Sequence, residues 1–255
     1  MKFSFLMLII YSSICLACCY AQNENDKKIP KILVLIIAND RYSYYVEEQK
    51  IWRSYMHRDV EHVESYFIKG DPKIETEYQI VGDIIYSKTV ENFRPGILNK
   101  TILSLECMMG RLDEFDYVIR TNLSSFYYFP RLLNFLASAP KSHYYSGWID
   151  GHWVSGAGII MSCDLAKMLV LNKMTFLNNL GADDVEIADF FIKNQIYPIP
   201  SGRMDLTSLD RWLYYKDKIP EDIYHFRLKN IKSRRATNEI YLQKELVKMF
   251  YSDIQ

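Results

Sequence analysis

Four short stretches of the chain gather residue types from which a reaction can be built. Within residues 120–126, Arg120, Asn122 and Ser124 stand two apart. They offer one cation, able to pair with a phosphate or an acidic partner, and two neutral hydrogen-bonding groups; a strand-end turn capped by its own side chains explains the same pattern. Residues 147–158 carry Trp148, Trp153 and Gly156. Tryptophans are apolar platforms suited to sugar rings, and glycine in a strand admits close approach by a ligand or another backbone, whereas a bulged strand with core aromatics is the plainer alternative. Asp183 and Asp184 adjoin at the start of a helical pattern. Such carboxylates serve as caps and dipole partners, or one of them acts as general base for a sugar hydroxyl. Last, His225, Arg227 and Lys229 alternate along residues 223–230. At period two they share one face, making either a solvated basic edge or a cationic row that neutralises a departing diphosphate.

Other chemistries lose support. There is no phosphate-binding Gly-x-x-x-x-Gly-Lys loop, no Gly-x-Ser-x-Gly elbow and no dinucleotide glycine fingerprint. His57, His62, His143 and His152 lack metal-ligand spacing and read as structural or surface groups.

The elements that must position these residues follow from the apolar pattern. Residues 31–38 read as one strand, and the continuous apolar run that follows Lys31 is the mark of a parallel strand buried on both faces. Further strands are expected at 63–68, 83–86, 115–119 and 153–161. Helices are expected at 46–55, at 101–112 with Leu105, Met108 and Leu112 inward, after a Ser162 cap, and from Asp183 with Val185, Ala188 and Ile192 on one face. A loop is expected at 92–96, a loop-rich part from about 197, and a last amphipathic helix at 238–251. Strands alternating with helices predict an α/β fold, a mostly parallel sheet flanked by helices in a single domain. Ligands of such sheets sit beyond the carboxyl ends of the strands, which points to Asn39, Asp40 and the 120–124 turn.

With 255 residues, 49% of them hydrophobic, the chain can bury a substantial core. Its 31 basic and 31 acidic residues balance, which argues against a nucleic-acid partner, since phosphate neutralisation calls for a basic excess. Residues 3–20 are almost wholly apolar and uncharged; as a helix they would reach about 27 Å, just short of a hydrocarbon core of ~30 Å. Residues 1–21 are therefore read as a signal anchor or a cleaved signal peptide, residues 22–28 as a linker and residues 29–255 as the domain. The anchor makes a single-pass type II membrane protein of the secretory pathway, and cleavage makes a secreted one. Asn99 and Asn122 fall in glycosylation sequons. Outside the apolar segment remain Cys107 and Cys163, which either pair or stay as thiols.

Taken in order, these segments resemble the β-1,3-glycosyltransferase and Fringe-like superfamily of nucleotide-sugar-dependent enzymes. The resemblance rests on the strand from Ile32, on Gly82 and Asp83 followed by two isoleucines, and on the 99–105 helix. It continues through Arg120 to Phe126 with Pro130 and Leu132, the 155–162 strand, and Asp183, Asp184 and Val185. It implies a GT-A-like fold, a nucleotide diphosphate sugar donor and a glycan or glycoprotein acceptor. By the same resemblance Asp184 matches the family's base, Asp183 orients acceptor or base, and Asp83 lies near the nucleotide. Donor contacts are expected from Asp83, Arg120, Asn122, Ser124, His225, Arg227 and Lys229, and acceptor contacts from Trp148, Trp153 and Gly156. One departure stands out: where the family places an Asp-x-Asp pair on a divalent cation, this chain has Asn122 and Ser124. Neither is anionic, and Mn²⁺ or Mg²⁺ prefers carboxylates. Three alternatives follow: a reaction without cofactor, with Arg120 and the row His225, Arg227 and Lys229 supplying the missing positive charge; a divalent cation such as Mn²⁺ held by other groups, His225 among them; or a catalytically inactive sugar-binding or structural domain. The intact Asp183–Asp184 pair and the basic row favour the first.

Overall fold

A computed structural model describes residues 28–177, 179–230 and 234–252. The expected signal or anchor segment at 1–21 lies outside the described residues. Among those that are described, no helix is long and apolar enough to cross a membrane.

The elements run β1 (Ile32–Ile37), α1 (Ser43–Tyr55), β2 (Val63–Gly70), β3 (Tyr78–Val81), β4 (Ile84–Ser87), α2 (Gly96–Cys107), a 3-10 turn at Met109–Glu114, and β5 (Tyr117–Asn122). There follow β6 (Ser125–Tyr127), α3 (Phe129–Leu136), β7 (Tyr145–Asp150), β8 (Trp153–Ser162), α4 (Cys163–Leu171), α5 (Lys173–Phe176) and α6 (Asp183–Lys193). The chain ends with β9 (Ile199–Pro200), β10 (Met204–Asp205), α7 (Leu209–Tyr215), β11 (His225–Arg227), a π-helical turn at Arg235–Glu239 and α8 (Ile240–Phe250). Eight strands make the central sheet in the order β3-β4-β2-β1-β5-β8-β7-β9, and β10-β11-β6 form a small second sheet. The β1–β2, β1–β5, β2–β4 and β7–β9 pairs are parallel, while β3–β4, β5–β8 and β7–β8 are antiparallel. This is the expected single α/β domain, its sheet flanked by helices but mixed rather than mostly parallel, with an antiparallel strand, β8, between β5 and β7.

β1 shows why. Ile32, Val34 and Ile36 point into one apolar cluster with α1, α3 and α8, while Leu33, Leu35 and Ile37 point into the other with α2, α4 and α6. Six consecutive apolar side chains fit a strand covered on both faces, and no other place in a small domain hides them all.

Several expectations are corrected. The helix expected at 101–112 runs Gly96–Cys107 and gives way to the 3-10 turn. The helix begins at Gly96, the last residue of the segment expected as loop, where the Gly96 N–H donates to Asn92 Oδ1 at 2.7 Å. β5 continues to Asn122, so Arg120 belongs to the strand rather than to its turn. Strands β3 and β7 were not foreseen. The buried stripe of α6 is Ile187, Ala188 and Phe191 rather than Val185, Ala188 and Ile192. Ser162 spends its hydroxyl on the Tyr144 N–H instead of capping α4. Cys107 and Cys163 are free thiols. Asn99 is buried in α2 and the Asn122 amide is hydrogen-bonded on both sides, so neither sequon offers an open side chain.

Candidate active site

A continuous cleft opens beyond the carboxyl ends of β1, β2 and β5. Its larger part, about 710 Å³, is lined by Asn39, Asp40, Tyr45, Lys69, Glu91, Phe93 and Lys100 among others. A second part of about 380 Å³ shares Asn39, Tyr45 and Phe93 and adds Arg120, Asn122, Ser124, Gly156, Asp183, Asp184, Arg227, Lys229 and Arg235. Parallel strands deliver their last residues to one edge, and the helices that follow fan away from it, which leaves the hollow.

The turn after β5 is fixed from below. Trp52 Nε1 donates to the Leu123 carbonyl at 3.1 Å, and Gln243 donates to the same oxygen. Thr121 and Ser125 hydroxyls bond the Ala157 carbonyl at 2.6 and 2.9 Å, tying the turn to β8.

On this frame stand the two positions where the resemblance expects metal-holding carboxylates, and each carries an arginine. Arg227 Nη1 donates to Asn122 Oδ1 at 2.9 Å. Arg235 Nη2 donates to Ser124 Oγ at 3.0 Å, while its Nη1 reaches the Tyr45 hydroxyl at 2.8 Å. Burial and the neighbouring Arg203 pull the Arg227 guanidinium down to about 10, which leaves it charged at neutral pH. Burial works against Arg235 too, but the Glu239 carboxylate outweighs it and holds that group above its ordinary value. Lys229 is exposed and forms no ion pair among the described residues; desolvation, then Arg227 and Arg235, lower its pKa. The neutral Asn122 and Ser124, already engaged by guanidinium groups, do not fit a divalent cation. Among the described residues no three His, Cys, Asp or Glu side chains are grouped to hold one.

Across the cleft, Asp184 Oδ2 accepts the Gly156 N–H at 3.0 Å and Oδ1 accepts the Val185 N–H at 3.1 Å. Asn122 Nδ2 donates to the Gly156 carbonyl at 3.1 Å, so one glycine links the carboxylate to the Asn122 turn. A Cβ on Gly156 would lie 2.7 Å from Arg120 Nη1 and 3.1 Å from Asp184 Oδ2. What the bare strand admits here is therefore these two side chains.

Two expected cations drop out. Arg120 is buried against Asp183 in a close ion pair and also donates to the Gly156 carbonyl, so its charge is spent inside the protein. Asp183, at the cleft wall, is buried against Arg120 and spends its charge on that ion pair; burial pushes its carboxyl up, against the pull of Arg120. His225 is buried behind the cleft, stacked on Tyr127 at 4.4 Å and 3.3 Å from the Ser125 hydroxyl. Burial, then Arg203 and Arg227, hold its pKa well below the usual imidazole value, so it is neutral. The alternation that puts His225 and Arg227 on one face is right; the depth of the histidine is what the pattern could not carry.

Three more expected residues lie elsewhere. Asp83 stands at the amino end of β4, ion-paired with Arg53 at 2.7 Å in a separate surface hollow with His57 and Glu64. Trp148 is exposed beneath the Arg203 guanidinium, and Trp153 packs on the second apolar cluster; neither lines the cleft. Sequence reasoning missed Tyr45, Lys69, Phe93, Lys100 and Arg235. For Arg235 a signal existed, the basic run at 232–235, but nothing in it tells which residue folds back onto Ser124.

Neither a family model nor a curated protein matches this sequence. Among solved structures the chain is similar to a glycosyltransferase involved in the glycosylation of the major capsid of PBCV-1. The TM-score is 0.49 at 8% identity, over 82% of this chain and 99% of that one.

Proposed function

We propose that this chain is a glycosyltransferase of the β-1,3 and Fringe-like type. It moves a hexose from a nucleotide diphosphate sugar to a hydroxyl of a glycan or glycoprotein, with inversion and without a divalent cation. The observation that carries the reading is the pairing of Arg227 on Asn122 and Arg235 on Ser124, facing Asp184 across one cleft. The acceptor oxygen attacks the anomeric carbon and gives its proton to Asp184. The bond from that carbon to the diphosphate breaks, and its electron pair leaves with the nucleoside diphosphate. Arg227, Arg235 and Lys229 face that developing charge with cations already in place, so little reorganisation is needed as it forms. Asp184 keeps lone pairs beyond the two that meet backbone N–H groups. On this reading residues 1–21 hold the domain on a membrane of the secretory pathway or send it out of the cell.

A second reading has one observation in its favour: both Asp184 oxygens accept backbone N–H groups, as a purely structural cap would. The domain would then bind nucleotide without turnover. A panel of nucleotide sugars separates the two. The transferase reading expects turnover that falls by roughly 10²–10⁴ in Asp184→Asn, with donor affinity nearly kept. Binding with no turnover of any donor, or equal turnover in the variant, removes the base assignment.

A further inference from the structure

Behind Arg235 lies a pair of carboxyl groups that the proposed reaction does not use. Glu48, on α1, is fully buried, and neither of its oxygens meets a hydrogen-bond donor among the described residues. Glu239, also fully buried, ends the π-helical turn that carries Arg235. Its carboxylate accepts Arg235 Nε at 3.0 and 3.2 Å and the Asn230 backbone N–H. Glu239 is the charged group set against Glu48, and two ionised carboxylates buried together are costly, a cost that an acid–carboxylate pair sharing a proton removes. One of the two orphaned Glu48 oxygens then has a partner, as donor to Glu239.

Arg235 is otherwise saturated on three sides. Nε faces Glu239, Nη1 faces the Tyr45 hydroxyl and Nη2 faces Ser124, with the Tyr44 and Tyr45 rings 5.2 and 5.0 Å from the guanidinium carbon. A guanidinium has five N–H donors, so one on each terminal nitrogen remains for the cleft that Arg235 lines.

We propose that Glu48 and Glu239 share one proton and so present a single negative charge that fixes Arg235 on Ser124, as positioning residues for a diphosphate-binding guanidinium. The inference rests on the reading of the cleft given above. Two negative charges behind Arg235 would exceed its single positive charge and leave the back of the cleft net negative; none would leave the long side chain loose. The charged groups facing Glu48 are Glu239 and Arg235 from the turn before α8 and Arg227 from β11. Burial first, then the hydrogen bond with and the charge of Glu239, push the Glu48 carboxyl up to about 9.

The sign of the pH effect follows. A carboxyl that titrates near 4.5 in the unfolded chain and near 9 in the folded one adds stability that is complete below pH 4.5 and is lost as pH rises to about 9. Thermal melting of the wild type and Glu48→Gln should therefore diverge between pH 5 and 9, the wild type losing ground as pH rises. Parallel curves would overturn the shared proton. Inorganic pyrophosphate titrated at pH 7 tests the positioning. Glu48→Gln, whose amide still donates to Glu239, should bind within about twofold of wild type, whereas Glu239→Gln should lose about tenfold. Wild-type affinity in Glu239→Gln, or a tenfold loss in Glu48→Gln, would overturn it. Failure of the wild type to bind pyrophosphate would instead count against the diphosphate reading of the cleft, and the melting comparison would still decide the proton.

Discussion

The two ends of the cleft carry their charge differently. At the β1–β2 end the two buried cations each have an acid beside them: Lys69 grips both Asp40 oxygens at 2.7 and 2.8 Å, and the fully buried Lys100 reaches Glu91 and the Ala38 carbonyl, while the exposed Arg41 lies over the Tyr42 ring. At the β5–β11 end, Arg120 has Asp183 and Arg235 has Glu239, but Arg227 and Lys229 have no carboxylate partner among the described residues. Arg227 leans on a neutral amide instead. Folding alone would favour neutralising a half-buried guanidinium, so on the proposed reading Arg227 is where a ligand's negative charge would sit. The first end pairs its buried cations with acids; the second leaves a half-buried one without.

Substitutions should expose the contrast, and the largest stability effect belongs to a cation that is already neutralised. Asp183→Asn strands the buried Arg120, and denaturant unfolding should show a loss of about 3–5 kcal/mol; a loss below 1 kcal/mol would mean that Arg120 finds water. Arg227→Ala should leave the fold nearly intact and weaken nucleoside diphosphate binding by about 10–100-fold, measured by titration calorimetry. Unchanged affinity would make the uncompensated charge incidental. Lys69→Met removes a cation whose partner Asp40 is more than half exposed. It should cost less than about 1 kcal/mol and leave diphosphate affinity within twofold. Should Lys69→Met weaken binding as much as Arg227→Ala, the two ends would not differ in the way described.

What the sequence discloses follows sequence distance. β1 is legible because six apolar residues in a row admit few other structures, and the start of α6 is legible because two acids adjoin where apolar periodicity begins. The carboxyl-end rule correctly brought Asn39, Asp40 and the Asn122 turn to one cleft. Arg120 was credited with a free charge because its partner Asp183 stands 63 residues away. The Arg235–Ser124 contact spans 111 residues, and no local pattern encodes it. His225 shares a face with Arg227 as period two requires, yet burial, a property of the packed whole, removes its charge. Asp83 was placed by the resemblance and the two tryptophans by residue type, and neither says which face of the molecule a hairpin turn or a bulged strand presents.

The central claim is that the guanidinium groups on Asn122 and Ser124 supply the positive charge that the proposed transfer needs, in place of a divalent cation. Its most direct test is turnover of the preferred nucleotide sugar by chelator-stripped protein, with and without added Mn²⁺. The account predicts equal rates in EDTA and in Mn²⁺, both lost in the double variant Arg227→Ala and Arg235→Ala. Turnover that appears only when Mn²⁺ is returned would contradict it.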